Sequence, residues 1–76
     1  MTKNIVKLDC KNLNCPMPIV KISKAFKTLA VGDSLEVTAT DPAFRADVEA
    51  WVRKTGQRLE SFNDGKEKTA LITRIL

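Results

Sequence analysis

The sequence predicts an α/β (α+β) two-layer sandwich, in which two helices cover one face of a four-stranded mixed sheet in the order βαβαββ. Three observations lead there. Segments near residues 3–10 and 34–40 alternate in the manner of strands. Two longer segments place apolar residues on one helical stripe each. Turn-forming residues stand wherever the period changes. Two helices with one apolar stripe apiece are buried best against a single sheet face, and crossovers between parallel strands run right-handed.

The first strand reads Lys3 to Cys10, with Asn4, Val6, Leu8 and Cys10 on one face and Ile5, Lys7 and Asp9 on the other. Lys11-Asn12-Leu13-Asn14 is a polar turn. From Pro16 to Leu29 the period becomes helical, with Ile19, Ile22, Ala25, Phe26 and Leu29 on one face. Lys21, Lys24 and Lys27 point elsewhere, and Lys27 suits the negative end of the helix dipole. Val31-Gly32-Asp33 ends this helix. Ser34 to Thr40 alternates again, turning Leu35, Val37 and Ala39 to one side. Asp41 then reads as an N-cap, followed by Pro42 at the first helical position. The second helix runs to about Thr55 on the stripe Phe44, Val48, Trp51, Val52 and Thr55, and Gly56 stands where a left-handed residue ends it. Arg58–Phe62 and Thr69–Ile75 are the last strands, joined by a hairpin turn at Asn63-Asp64-Gly65.

At 76 residues the chain is a single domain over 1–76, with no room for a deep multi-part active site. It contains no histidine. That excludes Ser-His-Asp and Cys-His catalysis and the usual proton shuttle at neutral pH. With only Cys10 and Cys15 as thiols, one chain also lacks the ligands for a four-coordinate zinc site. No cofactor or metal is expected. The net charge of +4 permits an anionic partner without requiring one. No apolar run approaches the ~20 residues of a membrane span, and the N-terminus does not read as a signal peptide. A cytoplasmic monomer without membrane contact is expected.

The chemistry gathers at Cys15-Pro16-Met17-Pro18. Proline is tolerated in the first turn of a helix, where its missing N–H would have had no partner. Two registers fit. With Cys15 as N-cap, Pro16 and Pro18 are the first and third helical residues. With Pro18 first, Met17 is still extended, as residues before proline prefer. Both leave Cys15 near the positive end of a helix dipole, which favours the reactive thiolate. Lys11 and Lys21 would add to that field. Thiolate attack on sulfane sulfur needs no general base, so the missing histidine suits this chemistry.

Asp9-x-x-x-Leu13-x-Cys15-Pro16-x-Pro18 after a first strand resembles the TusA/SirA-like sulfur-carrier family. The likeness continues through Gly32-Asp33, Thr40-Asp41-Pro42, Trp51, Thr55-Gly56 and Ile72-Thr73-Arg74. Asn12 departs from the family's usual glycine, but asparagine is the next best residue for a positive φ. Ala43-Phe44 also departs from the usual glycine and small polar residue. The resemblance implies a sulfurtransferase that acts as a protein sulfur carrier. Cys15 would accept sulfane sulfur as a persulfide, or a related thiosulfonate, and pass it on. It implies a donor such as a cysteine desulfurase or rhodanese. The acceptor would be a DsrE-like relay protein, as in tRNA thiolation, or an enzyme of dissimilatory sulfur oxidation.

Other residues carry simpler readings. Cys10 has inward parity and reads as a small core residue, with a resolving thiol for Cys15 as the functional alternative. Asp9 caps the turn, Trp51 belongs to the core, Met17 is exposed beside the sulfur as a soft contact, and Arg74 is a solvated strand charge unless it follows the family pattern. Two competing functions use the same fold. An RNA-binding module would explain the basic charge, but no aromatic stacking pair or dense basic cluster accompanies it. A regulatory adaptor would not need Cys15 at all.

Overall fold

The chain alternates strand and helix before closing with a hairpin: β1 Ile5–Cys10, α1 Met17–Phe26, β2 Ser34–Ala39, α2 Phe44–Thr55, β3 Arg58–Asp64 and β4 Lys68–Thr73. This computed structural model describes residues 4–14 and 16–76. The four strands lie in the order β1-β2-β4-β3. β1 runs parallel to β2, and β4 is antiparallel to both β2 and β3. The predicted element order and mixed sheet are therefore present.

Strand alternation builds the floor of the core. Leu35 lies opposite Ile72 and Val37 opposite Ala70, and all four are buried. Onto that floor α1 brings Ile22 and Phe26, and α2 brings Phe44, Val48 and Val52. α1 packs on β1 and β2, α2 on β3 and β4, and the helices touch each other. On edge strand β1, Cys10 is fully buried and Leu8 packs against the core. Val6, nearer the strand's start, stays 44% exposed.

Several boundaries differ from expectation for identifiable reasons. α1 ends at Phe26, not Leu29. The N–H groups of Lys27, Thr28 and Leu29 bond carbonyls three residues back at 3.3, 3.1 and 3.2 Å, a tightened last turn that still buries Leu29. α2 begins at Phe44 with Ala43 in the N-cap position. Asp41 instead closes a turn just ahead, its Oδ1 accepting the Ala43 N–H at 3.0 Å. Gly56 ends α2 with φ 74° and donates its N–H to Val52 O at 2.9 Å, as a left-handed cap should. The hairpin turns at residues 65–67 rather than at Asn63-Asp64-Gly65, because the ladder continues to the Asp64–Lys68 pair. That pair is closed by an ion pair of 3.1 Å. β4 stops at Thr73, two residues before Ile75.

β3 also carries a bulge. The register shifts between Leu59 and Ser61, leaving Glu60 as the extra residue. Leu59 and Phe62, three apart, consequently both pack against the core.

Candidate functional site

The loop between β1 and α1 is tied down at almost every residue. Asp9 Oδ1 accepts the Lys11 N–H at 2.9 Å, the predicted capping role. Asn12 has φ 64°, the left-handed conformation expected where the family has glycine. Its N–H donates to Thr40 Oγ1 at 2.9 Å, which fastens the loop to the end of β2. Leu13 donates to Cys10 O at 3.3 Å, and its side chain packs against the core. Met17 donates to Asn14 O at 2.9 Å, and Val20 to Pro16 O at 3.0 Å.

Cys15 lies outside the described residues, between the two anchored neighbours Asn14 and Pro16. The helix register that follows is neither of the two expected. Pro16 occupies the N-cap position, Met17 is the first helical residue and Pro18 the second. The first-turn N–H groups have no intrahelical acceptor, so a proline at the second position sacrifices no helical bond. Pro18 is buried, anchoring the helix start, while Pro16 is exposed and Met17 is 46% exposed.

Of the two lysines expected near the site, Lys21 reaches the end of β1, its Nζ 3.5 Å from Asp9 O. Lys11 pairs at 3.9 Å with Glu67 in the hairpin turn, both exposed. Cys10 is fully enclosed. Burial pushes its thiol pKa up, the Lys21 charge opposes this, and Asp9 adds to the rise. Beside Pro16 a groove of about 280 Å³ runs between the helices, lined by Ile19, Asp47, Ala50, Trp51 and Lys54. Trp51 is half-buried rather than fully in the core. One side meets Phe26 edge-on, with ring centroids 4.9 Å apart, and the other lines this groove.

Two residues do more than their sequence positions suggested. Thr40, at the head of the Thr40-Asp41-Pro42 motif, holds the loop that precedes the cysteine. Arg74 is not a solvated charge. Its Nη1 donates to Phe26 O at 2.9 Å and Leu29 O at 2.6 Å, and its Nε to Leu76 O at 2.9 Å. It satisfies carbonyls at the end of α1, where a cation also meets the negative end of the dipole. Its place in the Ile72-Thr73-Arg74 motif was the only signal for such a role.

Comparison with known proteins agrees along most of the chain. A family model described as sulfurtransferase TusA matches residues 6–74. The sulfur carrier protein TusA of Allochromatium vinosum is 38% identical over 69 residues, covering 90% of this chain and 91% of that protein. The Bacillus subtilis protein YrkF is 52% identical over 56 residues, 74% of this chain, but the match spans only 30% of YrkF. The crystal structure of a SirA-like protein from Desulfitobacterium hafniense shares the fold, with a TM-score of 0.78 at 16% identity over 93% of this chain and 99% of that one.

Proposed function

The chain belongs to the TusA sulfurtransferase family, and from that premise we propose that it is a sulfur carrier whose cargo rides on Cys15. The observation that carries this reading is the anchoring of the residues on either side of Cys15 in the sequence. Cys15 opens a Cys-Pro-x-Pro segment at the head of α1, between residues anchored by the Met17–Asn14 and Val20–Pro16 hydrogen bonds.

Loading is a sulfur-to-sulfur displacement. The Cys15 thiolate attacks the outer sulfur of a donor persulfide, the donor's S–S bond breaks, and the donor leaves as a thiolate. One S–S bond forms as one is lost, so no external oxidant or reductant is consumed. The positive end of the α1 dipole favours the attacking thiolate. Delivery repeats the step, with an acceptor thiol attacking the Cys15 persulfide. The exposed Pro16 and Met17 and the groove beside them give protein partners a surface to meet. Donor and acceptor are proteins, the compartment is the cytoplasm, and no cofactor takes part. Burial of Cys10 supports the core reading over that of a resolving thiol.

Incubation with a persulfide donor, followed by intact-mass measurement, tests this. Wild type should gain one sulfur, Cys10→Ala should gain it too, and Cys15→Ser should not. A chain that gains no sulfur from persulfide, thiosulfate or tetrathionate donors would sink the proposal.

A further inference from the structure

We propose that β1 is a self-association edge, along which two copies of this chain pair antiparallel about a two-fold axis at Leu8 and extend the sheet from four strands to eight. This does not depend on the sulfur-carrier reading.

The two edges of the sheet are built differently. β3 is blunted by the Glu60 bulge, by the Arg58–Glu60 ion pair at 2.7 Å and by Asp64, which is held by Lys68 and Arg45. Such devices protect an edge from further pairing. β1 has no bulge and no ion pair between its own residues; its charges are Lys7 and Asp9, and Lys21 Nζ approaches only the Asp9 carbonyl at its end, at 3.5 Å. The strand pairs with β2 in an unbroken register from Ile5 to Cys10, and it leaves Ile5 56% and Val6 44% exposed.

Backbone polarity shows which groups are free to pair. Asn4 O accepts from Ser34 N at 2.9 Å, so Asn4 faces β2. Backbone groups alternate sides along a strand, so those of Val6 and Leu8 also face β2, while those of Ile5, Lys7 and Asp9 face outward. The approach of Lys21 Nζ to Asp9 O is on that outer side.

Charge then selects the partner and the register. With the axis at Leu8, Lys7 lies opposite Asp9 of the partner subunit, and Asp9 opposite the partner's Lys7. Both pairs sit on the face away from the helices. On the helix-covered face Leu8 meets its own copy, and Val6 meets the rim above the partner's Cys10. An axis at Lys7 would set like charges against each other, as would one at Asp9. Of the axes at Lys7, Leu8 and Asp9, only the one at Leu8 sets opposite charges together, and there β1 is complementary to itself, which is the requirement for an isologous dimer. A six-residue edge buries less than a standard interface, so the dimer is weak and forms at high concentration.

Hydrogen exchange on wild-type protein tests this without mutation. From dilute to roughly millimolar chain, the Lys7 and Asp9 amides should gain protection while the β3 edge does not change. Sedimentation velocity over that range should show a monomer–dimer equilibrium. Lys7→Asp puts carboxylates face to face twice per dimer, and should weaken association at least ~tenfold without lowering the melting temperature. Lys7→Asp/Asp9→Lys should restore it. Wild type that stays monomeric throughout, or Lys7→Asp that dimerises equally well, overturns the proposal. So does failure of the double variant to recover while it melts normally.

Discussion

Asn12 holds a conformation that most residues avoid. At φ 64° a side chain with a Cβ pays roughly 1 kcal/mol, and asparagine less than most. Asn12→Gly should therefore leave stability within a few tenths of a kcal/mol, whereas Asn12→Val should cost about 1–2 kcal/mol in urea unfolding. If Cys15 carries the sulfur as proposed, Val should also slow loading, because Asn12 lies in the segment that leads to Cys15 in the sequence. Loading equal to wild type would separate loop shape from function. Cys10 makes a different prediction. Burial holds its thiol neutral, with a pKa above that of the unfolded chain. The folded state then binds the proton more tightly than the unfolded state does. The resulting stability is present below the unfolded thiol pKa and lost as pH rises through the raised folded value. Urea titrations from neutral into alkaline pH should show that decline, and Cys10→Ala should flatten it. An equal slope in both proteins would assign the alkaline loss to other groups.

Arg74 acts at the scale of an element, tying the segment after β4 to the end of α1. Arg74→Ala removes two bonds to the Phe26 and Leu29 carbonyls, and we expect a loss of about 1–2 kcal/mol, read as a lower midpoint in thermal melts. Arg74→Lys should recover only part of it, because an ammonium placed on the Phe26 and Leu29 carbonyls leaves Leu76 O without the bond that the guanidinium's Nε makes. Full recovery would make charge, not geometry, the operative feature. This contact explains what sequence could and could not reveal. Helix stripes, the Gly56 cap and the Asp9 turn depend on residues within a few positions, and all are legible. The Arg74 bonds join residues 48 and 45 apart, and the Asn12–Thr40 bond joins residues 28 apart. No local pattern reports them. The Glu60 bulge is hidden for a related reason, since its register is decided by β4, not by β3 alone. At the site, the doubled proline announced a helix start. Its register depended on which proline the core would accept, and burial of Pro18 with Pro16 outside settled that.

At the scale of the whole molecule, stability rests on one thin core shared by every element. A chain of 76 residues has roughly 4–11 kcal/mol of total stability. Ile22 is fully buried in α1, which packs on β1, β2 and α2. Ile22→Ala should cost about 2–5 kcal/mol, a large share of that total, while Ile22→Val should cost about 0.5–1.5 kcal/mol. The same helix carries the Cys-Pro-x-Pro head, so the loss should not be confined to the core. With so few layers, no part of the sheet has an independent core to fall back on, and unfolding should be a single cooperative step. Far-UV circular dichroism and Trp51 fluorescence should give coincident urea transitions in wild type and in Ile22→Val, displaced to lower urea in the variant with an unchanged slope. Sulfur loading by Ile22→Val should match wild type below its transition and vanish with it. If Trp51 fluorescence changed well before the circular dichroism, the two helices would be separating from the sheet as an independent unit. The single shared core would then be refuted.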